Sequence, residues 1–237
     1  MSWSLTDSTG ISVQGTGQNN AVSVTVDSTN ANVIFVLVAS YGGAPPVAGD
    51  LTDSQSNVYT LIAVQTAAGD ANLIIATYYK ISPSNNAALQ VTFTPNASGY
   101  PAMVVYSFTQ GSAPTFNTNV QTGTNSTGSV TPGSIGNAND LVVEALAYYT
   151  VGSNTINGSF STVTEVAYLA ANSMGLATAW KEIASAVNPV WTTNAANVVA
   201  AQAAAVTGVG GGSVEALEWK QPTSQPSNHW ITSIIGT

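Results

Sequence analysis

Short apolar strands separated by turns recur along most of the chain. The segment 22–26 alternates apolar and polar residues with a period of two, as a strand with one buried face does. The segment 33–39 is apolar throughout, which is typical of a strand buried on both faces. Further strand patterns, each bounded by Gly, Pro, Asn or Ser, lie at 59–66, 73–81, 89–94 and 103–108. This rhythm predicts an all-β fold, an antiparallel β-sandwich of jelly-roll-like type.

The strand pattern occurs twice. The segment 30–36 matches 137–143, and each opens a long apolar strand. The first of these strands ends near Tyr41, and the second ends near Tyr148 and Tyr149. Self-similarity over about a hundred residues predicts two internally similar units. The sequence leaves open whether these are two separate sandwiches or two halves of one.

The repeat also divides the chain into segments. The Ala-rich stretch 198–206 has helical propensity, but its match to the strand at 102–106 predicts a strand. We expect an N-terminal segment at 1–20, a first sandwich unit at 21–110, a linker at 111–126, a second unit at 127–207, and a Gly-rich linker with a C-terminal strand or arm at 208–237.

The charge composition excludes several kinds of partner. The 237 residues include 3 basic residues and 11 acidic ones, for a net charge of −8. Such a chain cannot neutralise a phosphate backbone, so we expect no nucleic-acid partner, and the same deficit disfavours anionic lipid. No apolar stretch is long enough for a spanning helix, so we expect no membrane partner. The absence of Cys and the single His exclude disulfides, thiolate zinc sites and His-rich metal sites.

Few residues are available from which an active site could be built. A Ser–His–acid triad would require His229, and no Gly-x-Ser-x-Gly motif is present. Paired carboxylates could hydrolyse glycosides, and the candidate pairs are Asp50 with Asp53, Asp140 with Glu144, and Glu215 with Glu218. Asp140 and Glu144 would share one face of a strand, because they are four residues apart. Since no basic cluster supports any pair, we expect that the protein is not an enzyme and has no cofactor.

The loop at 50–57 offers several oxygen atoms that could ligate a cation. Asp50, Asp53 and Asn57 form an incomplete candidate for a calcium site, because the Asp-x-Asp-x-Asp-Gly order is missing. Asx turns at Asp53 and Asn57 explain the same residues without a metal. We therefore expect no resident metal ion.

Two sets of residues have both a binding and a structural interpretation. Lys80 and Lys181 stand at matching positions in the two copies, either as a paired acid-binding site or as rim charges that discourage wrong strand pairing. Four aromatic residues could stack on sugars or could pack across strands: Tyr78, Tyr79, Trp180 and Trp191. For both sets we expect the structural role.

The C-terminal segment 208–237 combines a Gly-rich stretch, two prolines and an apolar, strand-like end. We expect an arm that adds to the sheet or groove of a neighbouring subunit. The expected partner-binding residues are Trp219, His229, Trp230, Ile231, Ile234 and Ile235. The alternative is that this segment folds back on its own sandwich.

Three motifs carry a resemblance to known proteins. After a buried strand, the chain reads DSQSNVYT at 53–60, TYYK at 77–80 and VTFT at 91–94. This pattern resembles the Ser/Thr/Gly-rich β-sandwich repeats of phage virion proteins and bacterial surface proteins, over about residues 20–207. The resemblance implies a role in a particle or at a surface, and it carries no catalytic residues.

These observations together predict a non-enzymatic virion structural protein. We expect a phage capsid decoration or cement protein on the outer surface of the virion, bound to the major capsid protein or another virion protein. We also expect a homo-oligomer, with a trimer suggested by analogy alone. The alternatives, outside the cell or at its surface, are a carbohydrate- or receptor-binding adhesin or fibre component, and a filament subunit. The adhesin predicts exposed Trp or Tyr residues on one face or at loop tips.

Overall fold

The structure is a computed structural model that describes residues 2–6, 11–14, 20–96, 99–111, 114–125, 129–149, 153–161, 163–169, 174–193 and 199–208. Every strand pairing in these residues is antiparallel, which confirms the predicted all-β sandwich. The described residues contain no helix that is long and apolar enough to cross a membrane.

The first half of the chain forms two sheets. Its strands are β1 (Ser4–Leu5), β2 (Ile11–Gln14), β3 (Val22–Val26), β4 (Val33–Tyr41), β5 (Leu51–Asp53), β6 (Thr60–Ala67), β7 (Asp70–Ile81), β8 (Leu89–Phe93) and β9 (Tyr100–Thr109). The large sheet has the order β1-β9-β4-β7-β6, with β2 also paired to β9, and the small sheet has the order β3-β8-β5. The β6–β7 hairpin turns at 68–69, between the strand patterns that the sequence analysis places at 59–66 and 73–81.

The second half forms a second large and a second small sheet. Its strands are β10 (Thr115–Asn125), β11 (Ser129–Val130), β12 (Asp140–Tyr148), β13 (Asn154–Ile156), β14 (Thr164–Leu169), β15 (Met174–Glu182), β16 (Trp191–Thr193) and β17 (Val199–Thr207). The large sheet has the order β10-β17-β12-β15-β14, and the small sheet has the order β11-β16-β13. The Ala-rich stretch is therefore a strand, β17, as its match within the chain predicts.

The strand order of the second half repeats that of the first. Each strand from β2 to β9 has a counterpart eight places later, so that β4 corresponds to β12 and β7 corresponds to β15. Ile34 pairs with Lys80 across β4 and β7, and Val142 pairs with Lys181 across β12 and β15. The two lysines therefore correspond when Ile34 is laid on Val142, one residue beyond the position that the match of 30–36 with 137–143 predicts.

The two large sheets pack face to face and form the central core. Alternate residues of β4, among them Phe35 and Leu37, and alternate residues of β12, among them Leu141 and Val143, lie in this one apolar cluster. Each large apolar side chain withdrawn from water there contributes about 1.5–3 kcal/mol to folding. Each half is thus a sandwich, and the two halves also share a core. The sequence leaves open whether there are two separate sandwiches or two halves of one, and the structure combines features of both.

Each small sheet covers the outer face of its own large sheet. Ile34, Val36 and Val38 of β4 point away from the central core and pack under β3 and β8. On the other side, Leu146 packs with Trp191 of β16. The molecule therefore has four layers, and the central strands are buried on both faces, as their unbroken apolar sequence predicts.

Buried polar contacts join the large sheets inside the central core. The Thr77 hydroxyl donates to Oε1 of Gln202 at 2.7 Å. The hydroxyl oxygens of Tyr106 and Thr178 are 2.7 Å apart and share a hydrogen bond. All four side chains are buried, so each bond satisfies groups that would otherwise be desolvated without a partner.

Two segments expected to lie outside the sandwich units contribute strands. The segment 111–126, expected to be a linker, contains β10, which pairs along β17. The segment 1–20 contains β1 and β2, which pair with β9. Trp3 then reaches the second half, where its amide donates to Oε2 of Glu182 at 3.0 Å and its indole N–H donates to the Asn139 carbonyl at 3.3 Å. The N-terminal segment thus fastens one half to the other.

Candidate functional site

The predicted partner-binding arm lies outside the described residues, which end at Gly208. This applies to Trp219, His229, Trp230, Ile231, Ile234 and Ile235, and also to the candidate carboxylate pair Glu215 and Glu218. Their role stays a prediction.

The candidate calcium loop is held together by its own hydrogen bonds. Oδ1 of Asp53 accepts the amides of Gln55 at 2.9 Å and of Asn57 at 3.0 Å. Oδ2 of Asp53 accepts the Asn57 side-chain amide and the Tyr59 hydroxyl, both at 2.8 Å. Burial, together with this contact to the Asp53 carboxylate, raises the pKa of Tyr59 and keeps its proton on the hydroxyl. The carboxylate thus serves as an internal acceptor of four hydrogen bonds.

Asp50 and Asn57 also use side-chain oxygens in hydrogen bonds within the protein. Oδ2 of Asp50 accepts the Val47 amide at 2.8 Å and the Asn96 side chain at 3.4 Å. Oδ1 of Asn57 accepts the amide of Ser84 at 3.0 Å. Among the residues that the structure describes, no three His, Cys, Asp or Glu side chains are grouped so as to hold a metal ion.

The carboxylates Asp140 and Glu144 lie inside the protein rather than in a cleft. Both are fully buried. Oδ2 of Asp140 accepts the amide of Asn137 at 2.8 Å and the side chain of Asn117 at 3.0 Å, so Asp140 closes the turn before β12. Four residues of strand separate the Cα atoms of Asp140 and Glu144 by roughly 13 Å, and the two buried side chains do not face a cleft as a glycosidase pair does.

Glu144 is a buried acid with little to stabilise its charge. Its carboxyl oxygens make no hydrogen bond within the described part of the chain, and neither does the indole N–H of Trp191. Ala179 and Ala203 pair with Glu144 on the two neighbouring strands and offer no polar group. Burial raises the pKa of Glu144 well above its usual value, and the nearby Trp191 opposes this only in part.

The lysines at matching positions do not form one site. Lys80 pairs with Ile34, whose side chain lies in the outer cluster of the first half. Lys181 pairs with Val142, whose side chain lies in an outer cluster of the second half. The two lysines are therefore on opposite outer faces of the central core. The Lys181 ammonium donates to the carbonyl of Gly158, a contact that fixes a loop.

The four aromatic residues considered for sugar stacking serve in packing: Tyr78, Tyr79, Trp180 and Trp191. Tyr78 and Trp191 are fully buried. Tyr79 stacks on Phe116 with ring centroids 4.1 Å apart, and Trp180 meets Phe108 edge-on at 5.2 Å. These contacts tie the two large sheets together.

A group of tyrosines at one end of the central core is the candidate binding site. We call Tyr41, Tyr100 and Tyr149 the tyrosine rim. The rings of Tyr41 and Tyr149 have centroids 6.0 Å apart and planes tilted by 48°. Tyr149 is 38% exposed, whereas Tyr41 is half-buried. Tyr100 is the strand partner of Tyr41 and lies on the same side of the sheet.

Polar groups border the tyrosine rim on the first half. Oδ1 of Asp70 accepts the backbone amide of Asn72 at 3.0 Å and its side-chain amide at 3.1 Å. Partial burial, and then the negative charge of Asp70, raise the pKa of Tyr41. The rim therefore presents aromatic faces beside a carboxylate and a carboxamide.

Short backbone contacts hold the loops of the rim in place. The amide of Gly42 donates to the Asn72 carbonyl at 2.8 Å, and the amide of Ala44 donates to the Asn96 carbonyl at 3.2 Å. Gly43 has a φ of +78°, and a Cβ atom there would run into the carbonyl oxygen of Asn96. Only glycine suits this close approach.

The sequence contains the signal for the rim, but only in part. An aromatic residue follows each long apolar strand, which supports the repeat and says nothing about exposure. Tyr148 shows the difference: it is buried against Gly175, and its pKa is raised to about 12 by burial and then by the charge of Glu165. Only the fold distinguishes its ring from the exposed ring of Tyr149.

In comparisons with known proteins, no family model, no curated protein and no solved structure matches this chain.

Proposed function

We propose that the chain is a non-enzymatic structural protein of a virion, and specifically a decoration or cement protein on the outer surface of a phage capsid. The observation that carries the proposal is the closed four-layer body, in which the large sheets cover each other and the small sheets cover their outer faces. Such a body attaches as a preformed unit and needs no chemistry to do so. The small share of charged residues, 6% of the chain, and the resemblance to virion repeats support the same assignment.

Interrupted sheet edges favour this proposal over a polymerising filament. Three edge strands of the large sheets, β6, β10 and β14, have an irregular pairing register with their neighbours. The shifts lie between Leu61 and Ala63, between Asn117 and Gln121, and across 167–169. The remaining edge, that of the first large sheet beside β9, is made of two short strands, β1 and β2. Bulges and short strands are features that discourage the addition of further strands at an edge.

The partners in this proposal are the major capsid protein or another virion protein, and further copies of the chain. The arm at 208–237 supplies the partner-binding residues, and symmetric repetition multiplies a modest interface. A trimer remains the proposed stoichiometry by analogy. The proposed location is the outer surface of the virion.

We also propose that the two halves arose by duplication of one β unit. The repeated strand order and the two lysines in equivalent registers support this. Superposition of the two halves in an experimental structure tests the duplication, with Ile34 laid on Val142. Equivalent Cα positions throughout the large sheets would support it, and a different path of the corresponding strands would contradict it.

Co-sedimentation with capsids of the phage that encodes the chain tests the main proposal. We expect saturable binding of the full chain at a fixed ratio to the capsid protein. We also expect loss of binding for a chain that ends at Gly208, with an unchanged circular dichroism spectrum. Absence of saturable binding by the full chain would contradict the decoration role. Light scattering coupled to size-exclusion chromatography, on the full chain and on the chain that ends at Gly208, measures whether the arm also mediates formation of the homo-oligomer.

The second candidate function is a carbohydrate- or receptor-binding adhesin or fibre component, located at a virion or cell surface. The exposed ring of Tyr149 in the tyrosine rim favours it, because an adhesin of this type needs exposed aromatic residues at loop tips.

A further inference from the structure

We propose that the tyrosine rim is a binding site for a neutral saccharide, in which a pyranose ring packs its C–H face on Tyr149 beside Tyr41. This inference rests on the second candidate function and names its ligand class. The site uses both halves of the chain, since Tyr41 is the last residue of β4 in the first half and Tyr149 directly follows β12 in the second.

The aromatic geometry suits a pyranose. With centroids 6.0 Å apart and planes tilted by 48°, the rings of Tyr41 and Tyr149 do not stack fully on each other. Tyr149 as a residue is 38% exposed, so it remains accessible to a ligand. A pyranose presents a flat patch of C–H groups with partial positive charge, which matches the negative face of an aromatic ring.

The polar border of the rim suits sugar hydroxyls. The Asp70 carboxylate is an acceptor, and the Asn72 carboxamide is both a donor and an acceptor. Asn72 is exposed, and Asp70 is partly exposed. Each group keeps capacity for a hydroxyl in addition to the bonds between Asp70 and Asn72. Ligand sites combine apolar surface with a few such placed polar groups.

Charge decides which saccharides fit. The chain has a net charge of −8, and the Asp70 carboxylate lies at the rim itself. The described lysines, Lys80 and Lys181, lie at the ends of β7 and β15 that are far from the tyrosine rim. Their strand partners, Ile34 and Val142, are seven residues, or roughly 23 Å along the strand, from Tyr41 and Tyr149. No described cation therefore stands near enough to favour a sialylated or sulfated sugar.

The rim is also held in its binding arrangement before a ligand arrives. The bonds from Gly42 to Asn72 and from Ala44 to Asn96 join the loop after β4 to the start of β7 and to the loop before β9, and Gly43 packs against Asn96. Little loop ordering is then left for the sugar to drive, which lowers the free-energy cost of binding.

Saturation-transfer difference NMR on the full chain tests the proposal. The probes are the methyl glycosides of glucose, galactose, mannose and N-acetylglucosamine, with N-acetylneuraminic acid as the anionic probe. We expect saturable binding of at least one neutral glycoside, with a dissociation constant on the order of 1–10 mM. Tyr149→Ser is expected to weaken it at least tenfold, and Asp70→Asn to weaken it several-fold.

Val58→Ser is the matched control, because Val58 is a 79% exposed apolar residue before β6, away from the rim. It is expected to bind as the wild type does. Unchanged binding by Tyr149→Ser, or no saturable neutral probe, would overturn the proposal. Binding of only the anionic probe, lost in Tyr149→Ser, would overturn the ligand class and leave the adhesin function standing. Capsid co-sedimentation of the same variants tests the decoration role separately.

Discussion

Tyr41 and Tyr149 occupy equivalent places in the two halves of the chain, and their rings meet 6.0 Å apart. Each lies seven residues beyond the residue that pairs with a lysine, since Tyr41 follows Ile34 and Tyr149 follows Val142 by that interval. The equivalent ends of β4 and β12 are therefore neighbours, as they would be around a two-fold axis parallel to the strands. A site at this place combines residues that are 108 positions apart in the sequence.

The first prediction concerns the stiffness of the tyrosine rim. Gly43→Ala introduces a Cβ where φ is +78° and where the Asn96 carbonyl is in the way, so we expect a loss of about 1–3 kcal/mol in the free energy of unfolding. Gly49→Ala is the control, because a Cβ at Gly49 meets nothing within 4 Å. It is expected to change stability by less than about 0.5 kcal/mol. Urea unfolding measures both, and equal effects would contradict a constrained loop.

The second prediction concerns the hydrogen bond from Thr77 to Gln202 between the large sheets. Thr77→Val leaves the buried Oε1 of Gln202 without its donor, so we expect a loss of about 1–3 kcal/mol in stability. Thr77→Val with Gln202→Leu is expected to recover part of that loss, because the double variant no longer buries the Gln202 oxygen without its donor. Thr92→Val removes the exposed contact to Ser23 at 2.8 Å and should cost less than about 0.5 kcal/mol. Additive effects of the two core substitutions in a double-mutant cycle would argue against coupling.

The third prediction concerns the buried acid Glu144. Because burial raises its pKa in the folded state, the folded chain keeps this proton at pH values where the unfolded chain has lost it. The resulting stability is complete below pH ~4.3 and falls by about 1.4 kcal/mol per pH unit above it, until the pH reaches the raised pKa.

Glu144→Gln removes this dependence and keeps the shape of the side chain. We expect the variant to be more stable than the wild type at neutral pH, with the difference shrinking as the pH falls toward 4. Urea unfolding of both chains at several pH values measures the difference. Parallel stability curves for the two chains would show that Glu144 does not titrate as its burial requires.

The fourth prediction separates a structural role for Asp53 from calcium binding. Asp53→Asn places an amide group opposite the donors of Asn57 or Tyr59, so we expect a loss of about 1–3 kcal/mol with or without calcium. Asp27→Asn is the control, because Asp27 accepts the Thr29 amide in an exposed turn and Asn retains an acceptor. Thermal unfolding with calcium and with a chelator should give one melting temperature for the wild type. A higher melting temperature with calcium than with the chelator would support a calcium site in this loop.

Much of the fold follows from local patterns in the sequence. The alternation at 22–26 and the apolar run that begins at Val33 predict one strand buried on one face and one buried on both, and both are found. The Ala-rich β17 follows from its match to β9, although composition alone would favour a helix. In contrast, the segment 111–126 has few apolar residues to mark a strand, and β10 forms there because its backbone pairs along β17.

The candidate site could be predicted only in part. Asp50, Asp53 and Asn57 lie within eight residues of one another, and the Asx-type hydrogen bonds of Asp53 are local, so the sequence could predict them. Oδ1 of Asn57 accepts the distant Ser84 amide instead of closing an Asx turn. The tyrosine rim depends instead on which ends of two distant strands become neighbours. No property of the residues around Tyr41 indicates that Tyr149 will be its neighbour.

The sequence by itself determined that this chain is an all-β sandwich, because period, apolar runs and turn residues act over a few positions. Only the tertiary structure decided that the two large sheets bury each other. It also decided that Glu144 is buried with no charge partner among the residues that the structure describes, and that Tyr149, rather than Tyr148, remains exposed. These outcomes depend on contacts such as that of Thr77 with Gln202, which joins residues 125 positions apart. The packing of two whole faces selects such contacts, and no short stretch of sequence encodes them.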